Sequence, residues 1–450
     1  MPLEATETAS IRNVMRLAVP AVLSNVAVPL LGLVDITIVG HLNSASYIGA
    51  IAVGTMMFNL IYWLFGFLRM STGGFTAQAL GQNDQQSIIF VLFRALLTGL
   101  VGAGLLLLLQ RPIGQLGMRL IGASPEVESL ALRYYHILIW GAPAVLCLYG
   151  LNGWFLGMQN ARFPMYITIF QSLSNIGLSL LMVYGLKMQI EGVAYGTLAA
   201  QYLGLLMASC LWYARYGRRK STTRFAQIGW LKCFLHDGMH LAQWRTFLRV
   251  NRDLFLRTLC LIFVTLYFTH VGACQGDTLL AANTLLMQFF TLYSYFIDGF
   301  AYAGEAICGL CFGRKDHVTL HHGVRNVLIV GLTLTACFVL LYALAGTQIL
   351  ALLTDHTAVA RQAADYLPWV VFVPLCGMYA FLFDGIFSGA TASMQMLLSL
   401  LAGAIVFFTL QTVLFETMAN HALWLAFDAY LLTRGLVLRL SWPSLLKRIR

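Results

Sequence analysis

The second half of this 450-residue chain repeats the first at a shift of roughly 232 positions. Gly81-Gln-Asn-Asp84 returns as Gly313-Arg-Lys-Asp316, and Leu120-Ile-Gly-Ala-Ser-Pro-Glu-Val127 as Leu352-Leu-Thr-Asp-His-Thr-Ala-Val359. Pro143 returns as Pro374, and Asn152-Gly153-x-Phe155-x-Gly157 as Asp384-Gly385-x-Phe387-x-Gly389. Phe58, Tyr62 and Phe65 align with Phe289, Tyr293 and Phe296. The halves differ mainly in their polar residues. Duplication at this length requires two similarly folded bodies. Where such bodies are membrane bundles, the facing copies enclose a cleft that can open to either side, the architecture of a carrier.

The bodies must be membrane bundles. Charged residues make up 10% of the chain and hydrophobic ones 59%, with a mean hydropathy of +0.76, whereas soluble domains carry about 25% charged residues. Apolar stretches of about 20 residues or more recur, enough to cross a hydrocarbon core of about 30 Å as helices. The expected fold is therefore an all-α polytopic membrane protein with twelve transmembrane helices in two pseudo-symmetric six-helix bundles. The spans fall at 12–40, 46–79, 86–110, 124–157, 162–185 and 190–216, then at 243–271, 277–311, 321–347, 357–389, 393–415 and 419–442. Residues 1–216 would form an N-terminal lobe, 217–242 a basic cytoplasmic linker, and 243–450 a C-terminal lobe.

The net charge of +10 does not point to nucleic acid. Ten Lys or Arg crowd between Arg215 and Arg257, against Asp237 and Asp253, as in a connector lying on an anionic cytoplasmic leaflet. With the N-terminus inside, the inner ends would hold about 20 Lys or Arg, Arg434 among them, and the outer connections 5. That bias predicts both termini in the cytoplasm. Arg12 and Arg16 precede an apolar run too long for a signal core, so the first helix is expected to remain.

Nine scattered cysteines do not form a disulfide framework. Cys308-x-x-Cys311 lies in an apolar helical run and reads as small-residue packing. His236-x-x-x-His240 has metal spacing but no third ligand nearby, so no metal site is expected. The chain has no phosphate loop, HExxH or G-x-S-x-G, which argues against ATP-driven transport and against an enzyme. A channel is disfavoured because no pore loop or repeated charged ring appears.

An ionisable side chain inside a span costs about 2.5–3.5 kcal/mol on insertion scales, so it usually pairs or lines a cavity. Asp35 has no base at helical spacing, and its repeat position, near Tyr267, is not acidic. It is either satisfied by a hydroxyl or backbone donor or it carries protons. Pro29, six residues earlier, removes a backbone hydrogen bond and offers a hinge.

Asn152, Gln171, Asn175, Ser179 and Thr197 sit in otherwise apolar helices of the same half. They either join helices or line a hydrated pocket with Asp35. In the second half, Asp298 and Glu305 share one helical stripe with Tyr302. Asp384 replaces Asn152, and Asp253 could be neutralised by Arg252 or Arg257. These C-lobe carboxylates form the candidate site for Na⁺. Arg69 and Asp298, near pseudo-symmetric positions, could form a cytoplasmic gate, or Arg69 could simply snorkel.

Several of these residues carry a family resemblance. Pro29-Leu-Leu-Gly-Leu-Val-Asp35-x-x-x-x-Gly40-His-Leu, Phe67-Leu-Arg-Met-Ser-Thr72 and Thr76-Ala-Gln-Ala-x-Gly81 resemble the DinF branch of the MATE (multidrug and toxic compound extrusion) family. So do Asn251-Arg-Asp253, Asp298-Gly-Phe-Ala-Tyr-Ala303-x-Glu305-Ala, Asp384-Gly385 and Asn420-His-Ala-Leu-Trp-Leu425. The resemblance spans essentially the whole chain. It implies an inner-membrane antiporter, needing no cofactor, that expels small organic, often cationic or amphipathic compounds in exchange for H⁺ or Na⁺. It is expected to work as a monomer. It further implies that Asp35 is the protonation site, supported by Asn152, Asn175 and Thr197. Related proteins often carry an acid where this chain has Ser179, so a two-carboxylate proton site is not expected. A lipid-precursor flippase of the same architecture would need several arginines in its cleft, and within the spans Arg69 is the chief candidate.

Overall fold

The structure is a computed structural model that describes residues 8–40, 45–122, 124–217 and 241–448; the side chains of 28, 30–40, 45, 120 and 241 are not described. The basic linker, including His236 and most of 217–242, lies outside these residues.

Every regular element among the described residues is helical. In lipid, no water satisfies exposed backbone groups, so apolar segments close their own hydrogen bonds. The N-terminal half contains α1 (Ile11–Gly40), α2 (Ala45–Leu64), α3 (Phe67–Gly81), α4 (Gln85–Leu108) and α5 (Gln110–Ile121). It continues with α6 (Pro125–Leu138), α7 (Ala142–Gly157), α8 (Arg162–Leu180) and α9 (Ile190–Trp212). The second half contains α10 (Leu241–Cys274), α11 (Asp277–Arg314), α12 (His317–Leu353), α13 (Thr357–Gly389), α14 (Ser393–Met418) and α15 (Asn420–Leu446).

Six spans per half follow: α1, α2–α3, α4, α6–α7, α8 and α9, then α10 to α15. Two expected helices are interrupted. The span at 46–79 breaks at Phe65–Gly66, where Phe65 N–H donates to Tyr62 O and Gly66 N–H to Trp63 O, each at 3.0 Å. The span at 124–157 tightens into a 3₁₀ turn at Ile139–Gly141 ahead of Pro143, whose missing N–H suits the first turn of α7. Its counterpart α13 instead runs on through Pro368 and Pro374. Helix α5 was not expected. It is short, polar on one side, and ends at Gly122 in the left-handed region.

By packing, the chain resolves into two compact units. One comprises Met1–Val22 and Arg249–Arg450, the other Leu23–Leu248. The N-terminal stretch belongs to the first unit, where Asn326 Nδ2 donates to Ala9 O at 2.6 Å.

The repeat is visible in the backbone. Among the described residues, the non-glycine residues with positive φ fall into pairs 232 positions apart: Asn83 and Lys315, Gln159 and Thr391, Lys187 and Ala419. Left-handed backbone is costly for such residues, so matched occurrences mark matched turns. Asp84 and Asp316, one residue beyond the first pair, both cap helices. Asp84 Oδ1 accepts from Ser87 N–H at 3.0 Å, and Asp316 Oδ1 from Thr319 N–H at 3.0 Å.

The closest helix approaches also match. A Cβ on Gly153 of α7 would lie 2.3 Å from Arg69 O of α3, and a Cβ on Gly385 of α13 would lie 2.0 Å from Ala301 O of α11. Only glycine lets these backbones meet, the small-residue packing that membrane bundles rely on.

Candidate functional site

The interior of the 23–248 unit holds a polar chain among apolar helices. Asn175 Nδ2 on α8 donates to Thr197 Oγ1 on α9 at 3.0 Å, and Ser179 Oγ donates to Asn175 Oδ1 at 3.2 Å. Thr197 in turn donates to Val193 O at 2.9 Å. Three of the expected cavity residues are therefore in contact, and Ser179 takes part as a hydroxyl. Gln171 lies two turns before Ser179, where its side chain faces Gly204 of α9. Asn152 lies on α7, its Oδ1 buried with no hydrogen-bond partner.

Other polar atoms in this unit are equally unsatisfied. The hydroxyls of Tyr62 and Tyr135 and the Oε1 of Gln201 are buried without partners. Tyr62 lies within electrostatic reach of Tyr134, Tyr135, Tyr149 and Tyr202. Buried acceptors and hydroxyls of this kind call for water or a ligand. Sequence reading missed this tyrosine group, because Tyr62 registered only as a mark of the repeat. An open groove of about 600 Å³ lies along α9 and the segment that leads into it from α8, lined by Met182, Met188, Tyr195, Leu198, Ala199 and Tyr202.

The side chain of Asp35 is outside the described residues; its backbone lies in α1. Pro29 is half-buried in the same helix, which continues through it. Arg69 is half-buried on α3.

The other unit handles its acids differently. Asp384 Oδ2 accepts from Arg434 Nη2 at 2.7 Å and also from Arg257 Nη2. All three residues are buried, and the Arg434 guanidinium lies 5.2 Å from the Tyr430 ring centre. Asp253 Oδ1 accepts from Arg252 Nη2 at 2.8 Å, and its Oδ2 from Ser393 Oγ at 2.9 Å. Of the two arginines considered for Asp253, Arg252 fills the role and Arg257 serves Asp384. Two carboxylates grouped as cation ligands are thus held by protein donors. Asp298 and Glu305 stand on α11, Asp298 half-buried and Glu305 buried.

Arg434, expected at the cytoplasmic end, is 4% exposed, its charge compensated by Asp384. One expectation about arginines is corrected. Arg69 is not the chief arginine within the spans: Arg94, Arg257 and Arg434 are buried, whereas Arg69 is half-buried. Arg94 donates to Gln243, so these three are committed to protein partners.

One carboxyl was missed altogether. Asp428 is buried in α15, with Oδ1 unsatisfied and no ion-pair partner among the described residues. Its neighbourhood, Trp424-Leu-Ala-Phe-Asp428-Ala-Tyr430, reads as an ordinary apolar run with one interruption. Among the described residues, no group of three or more His, Cys, Asp or Glu could hold a metal ion.

Comparison with known proteins agrees with this architecture. A family model described as MatE matches residues 20–181 and again 253–413, once in each half. The chain is 37% identical over 435 residues to "DNA damage-inducible protein F" of Escherichia coli (strain K12), covering 97% of this chain and 92% of that protein. It is 25% identical over 359 residues to "Probable multidrug resistance protein NorM" of Rhizobium meliloti (strain 1021), covering 77% of this chain and 71% of that one. A solved structure, "Crystal structure of MATE in the bent conformation", superposes with a TM-score of 0.85 at 18% identity, covering 100% of both chains. The protein is a multi-pass membrane protein and belongs to the MatE family of membrane transporters.

Proposed function

We propose that this protein exports small organic, often cationic or amphipathic compounds across the inner membrane by alternating access, in exchange for H⁺ bound at Asp35. The family and the multidrug-resistance name of one relative support the export reading. The groove lined by Met182, Met188, Tyr195 and Tyr202 supports broad cargo, since thioethers and aromatic faces adapt to many shapes.

One observation favours H⁺ over Na⁺. Asp253 and Asp384 already have guanidinium and hydroxyl partners. A Na⁺ ion, which needs several oxygen ligands, would have to displace those partners. Na⁺ coupling would then rest on Asp298 and Glu305.

In the proposed cycle, the outward-open protein takes a proton on Asp35, which weakens its hold on cationic cargo and lets α1 bend at Pro29. Asn152, Gln171, Asn175, Ser179 and Thr197 supply the polar surroundings. The lobes 1–216 and 243–450 then rock about the linker 217–242, Arg69 and Asp298 closing the cytoplasmic side. Both termini lie in the cytoplasm, and the unit of function is a monomer.

The test is dye efflux from reconstituted vesicles under an imposed pH gradient, then under an imposed Na⁺ gradient, with wild type and Asp35→Asn. The expected result is pH-driven efflux that the substitution abolishes while insertion is normal. Efflux driven by Na⁺ alone, or undiminished in Asp35→Asn, overturns the H⁺ assignment.

A further inference from the structure

We propose that Asp428 of α15, facing Gln411 of α14, is a second proton-binding site, located inside the 249–450 unit. The inference rests on the export reading for its role in transport, but the titration of the carboxyl stands independently of that reading.

Asp428 and Gln411 are 5% and 2% exposed. Asp428 Oδ1 and Gln411 Oε1 are both buried without a hydrogen-bond partner. Their placement follows from the repeat. Shifted back by 232 positions, they fall on Gly196 and Ser179, and a Cβ built on Gly196 would lie 2.5 Å from Ser179 Oγ. Helices α14 and α15 keep the same antiparallel contact, with Gly403 of α14 against Tyr430 and Arg434 of α15. By the repeat, Gln411, two turns further along α14, takes the place beside Asp428 that Ser179 takes beside Gly196. The N-terminal half fills this point with a hydroxyl and a glycine, whereas the C-terminal half fills it with an amide and a carboxyl.

A carboxylate oxygen buried without a donor or a cation beside it is a costly arrangement in an apolar interior. One proton resolves it, because a protonated Asp428 gains an O–H that can donate to Gln411. Losing that proton leaves a buried carboxylate with no cation beside it. The groups that could compensate are accounted for. On α15 itself, Arg434 is committed to Asp384 and its guanidinium stacks on Tyr430. On α13, Cys376 lies within electrostatic reach of Asp428, and Asp384 is held by the two arginines. On α10, Arg257 serves Asp384, and Cys260 lies near Tyr430. On α14, Glu416 is exposed, as is His421 at the start of α15.

The site is closed to organic cargo. Trp424, Phe427 and Tyr430 around Asp428 are at most 2% exposed. Phe268 stacks edge-on against Phe427 at 5.4 Å, and Phe290 does so at 5.1 Å. Such packing admits no organic ion.

The test is infrared difference spectroscopy on the full-length protein in lipid, titrated from about pH 5 to about pH 9, a range that a desolvated carboxyl can reach. With Asp35→Asn as the background for every infrared sample, which removes the other proposed proton carrier, the protein is expected to show a protonated-carboxyl C=O band that titrates. Asp428→Asn should lose that band and Asp428→Glu should keep one. In vesicles, Asp428→Asn is expected to slow pH-driven dye efflux by about tenfold or more and flatten its pH profile, with equilibrium dye binding held within about twofold. Asp428→Glu restores the pH dependence. A titrating band unchanged in Asp428→Asn, or the same pH profile in both variants, overturns the inference. Failure of wild type to export dye at all would sink the export reading instead, and the infrared result would still decide Asp428.

Discussion

Arg434 Nη2 donates to Asp384 Oδ2 at 2.7 Å, joining α15 to α13 inside a bundle where both side chains are buried. Arg257 of α10 donates to the same oxygen, so two guanidiniums share one carboxylate. In the N-terminal half, the place of Asp384 is taken by the neutral Asn152, and a shift of 232 puts Asn25 and Tyr202 where the arginines stand. The charged cluster is therefore a property of one half, not of the shared fold.

Asp384→Asn removes the one negative charge and leaves two buried guanidiniums facing each other. Breaking a buried pair from one side costs about 3–5 kcal/mol. Arg434→Met leaves Asp384 with Arg257, a balanced pair, and should cost less. Thermal unfolding in detergent should rank Asp384→Asn well below Arg434→Met, and Arg434→Met below wild type. The reverse order would mean that the cluster's charge is not what the carboxylate balances.

The matched glycines predict matched losses. Gly153→Ala and Gly385→Ala each drive a methyl group into a backbone carbonyl of the neighbouring helix, with Cβ-to-oxygen approaches of 2.3 Å and 2.0 Å. Backbone cannot move aside as a side-chain tip can, so each helix pair must separate, and overpacking typically costs about 1–3 kcal/mol. Gly104→Ala, where a Cβ meets nothing within 4 Å, is the control. A lowered melting temperature is expected in both close-contact variants and none in the control.

The spans were legible because lipid leaves a chain few choices: a long apolar run becomes a helix, and its repeat becomes a second one. The breaks at Phe65–Gly66 and Ile139–Gly141 were not legible, since hydropathy continues smoothly across them. The polar chain Asn175–Ser179–Thr197 could be anticipated from isolated polar residues in apolar helices. The partners of Asp384 could not, because Arg257 and Arg434 lie 127 and 50 residues away and only tertiary packing brings them together. The burial of Arg434 could not be anticipated for the same reason, its charge being compensated by a carboxylate from another helix. Asp428 escaped notice because a single acid in a run of aromatic and aliphatic residues carries no spacing signal of its own.

Asp84 and Asp316 sit in connectors, and both should confer acid-sensitive stability. Partial burial works to raise each carboxyl's pKa. For Asp84, the Ser87 hydroxyl and the Ser87 and Gln86 amides outweigh burial and hold the pKa below its ordinary value. For Asp316, the Thr319 hydroxyl, the Thr319 and Val318 amides and Arg314 do the same. A depressed pKa means that the charged form is favoured by folding. The stabilisation is present above the ordinary carboxyl value of about 3.9 and is lost as pH falls through the lower folded value. At neutral pH, the double variant Asp84→Ala/Asp316→Ala should lose about 0.5–2 kcal/mol per cap, toward the low end because both sites are only partly buried. The gap between wild type and the double variant should narrow below about pH 4. A gap that stays constant through acid would show that the caps act without their charge.

Asn283 of α11 is the centre of a second buried link to α15. Its Oδ1 accepts from Asn420 Nδ2 at 3.0 Å and from Trp424 Nε1 at 2.9 Å, while its Nδ2 donates to Asn420 Oδ1 at 2.8 Å. Removing this side chain strands two donors and one acceptor in a dry interior. Removing Asn420 strands one donor and frees half of the Asn283 acceptor, leaving Trp424 still bound. Each buried group left unsatisfied costs about 1–3 kcal/mol. Asn283→Ala should therefore destabilise more than Asn420→Ala, and the double variant should fall short of the sum, since both substitutions break the same amide pair. Amide hydrogen exchange in α11 and the first turns of α15 should report the loss locally, with faster exchange in Asn283→Ala than in Asn420→Ala. Additive effects, or equal exchange in the two single variants, would mean that the two amides and the indole do not act as one unit.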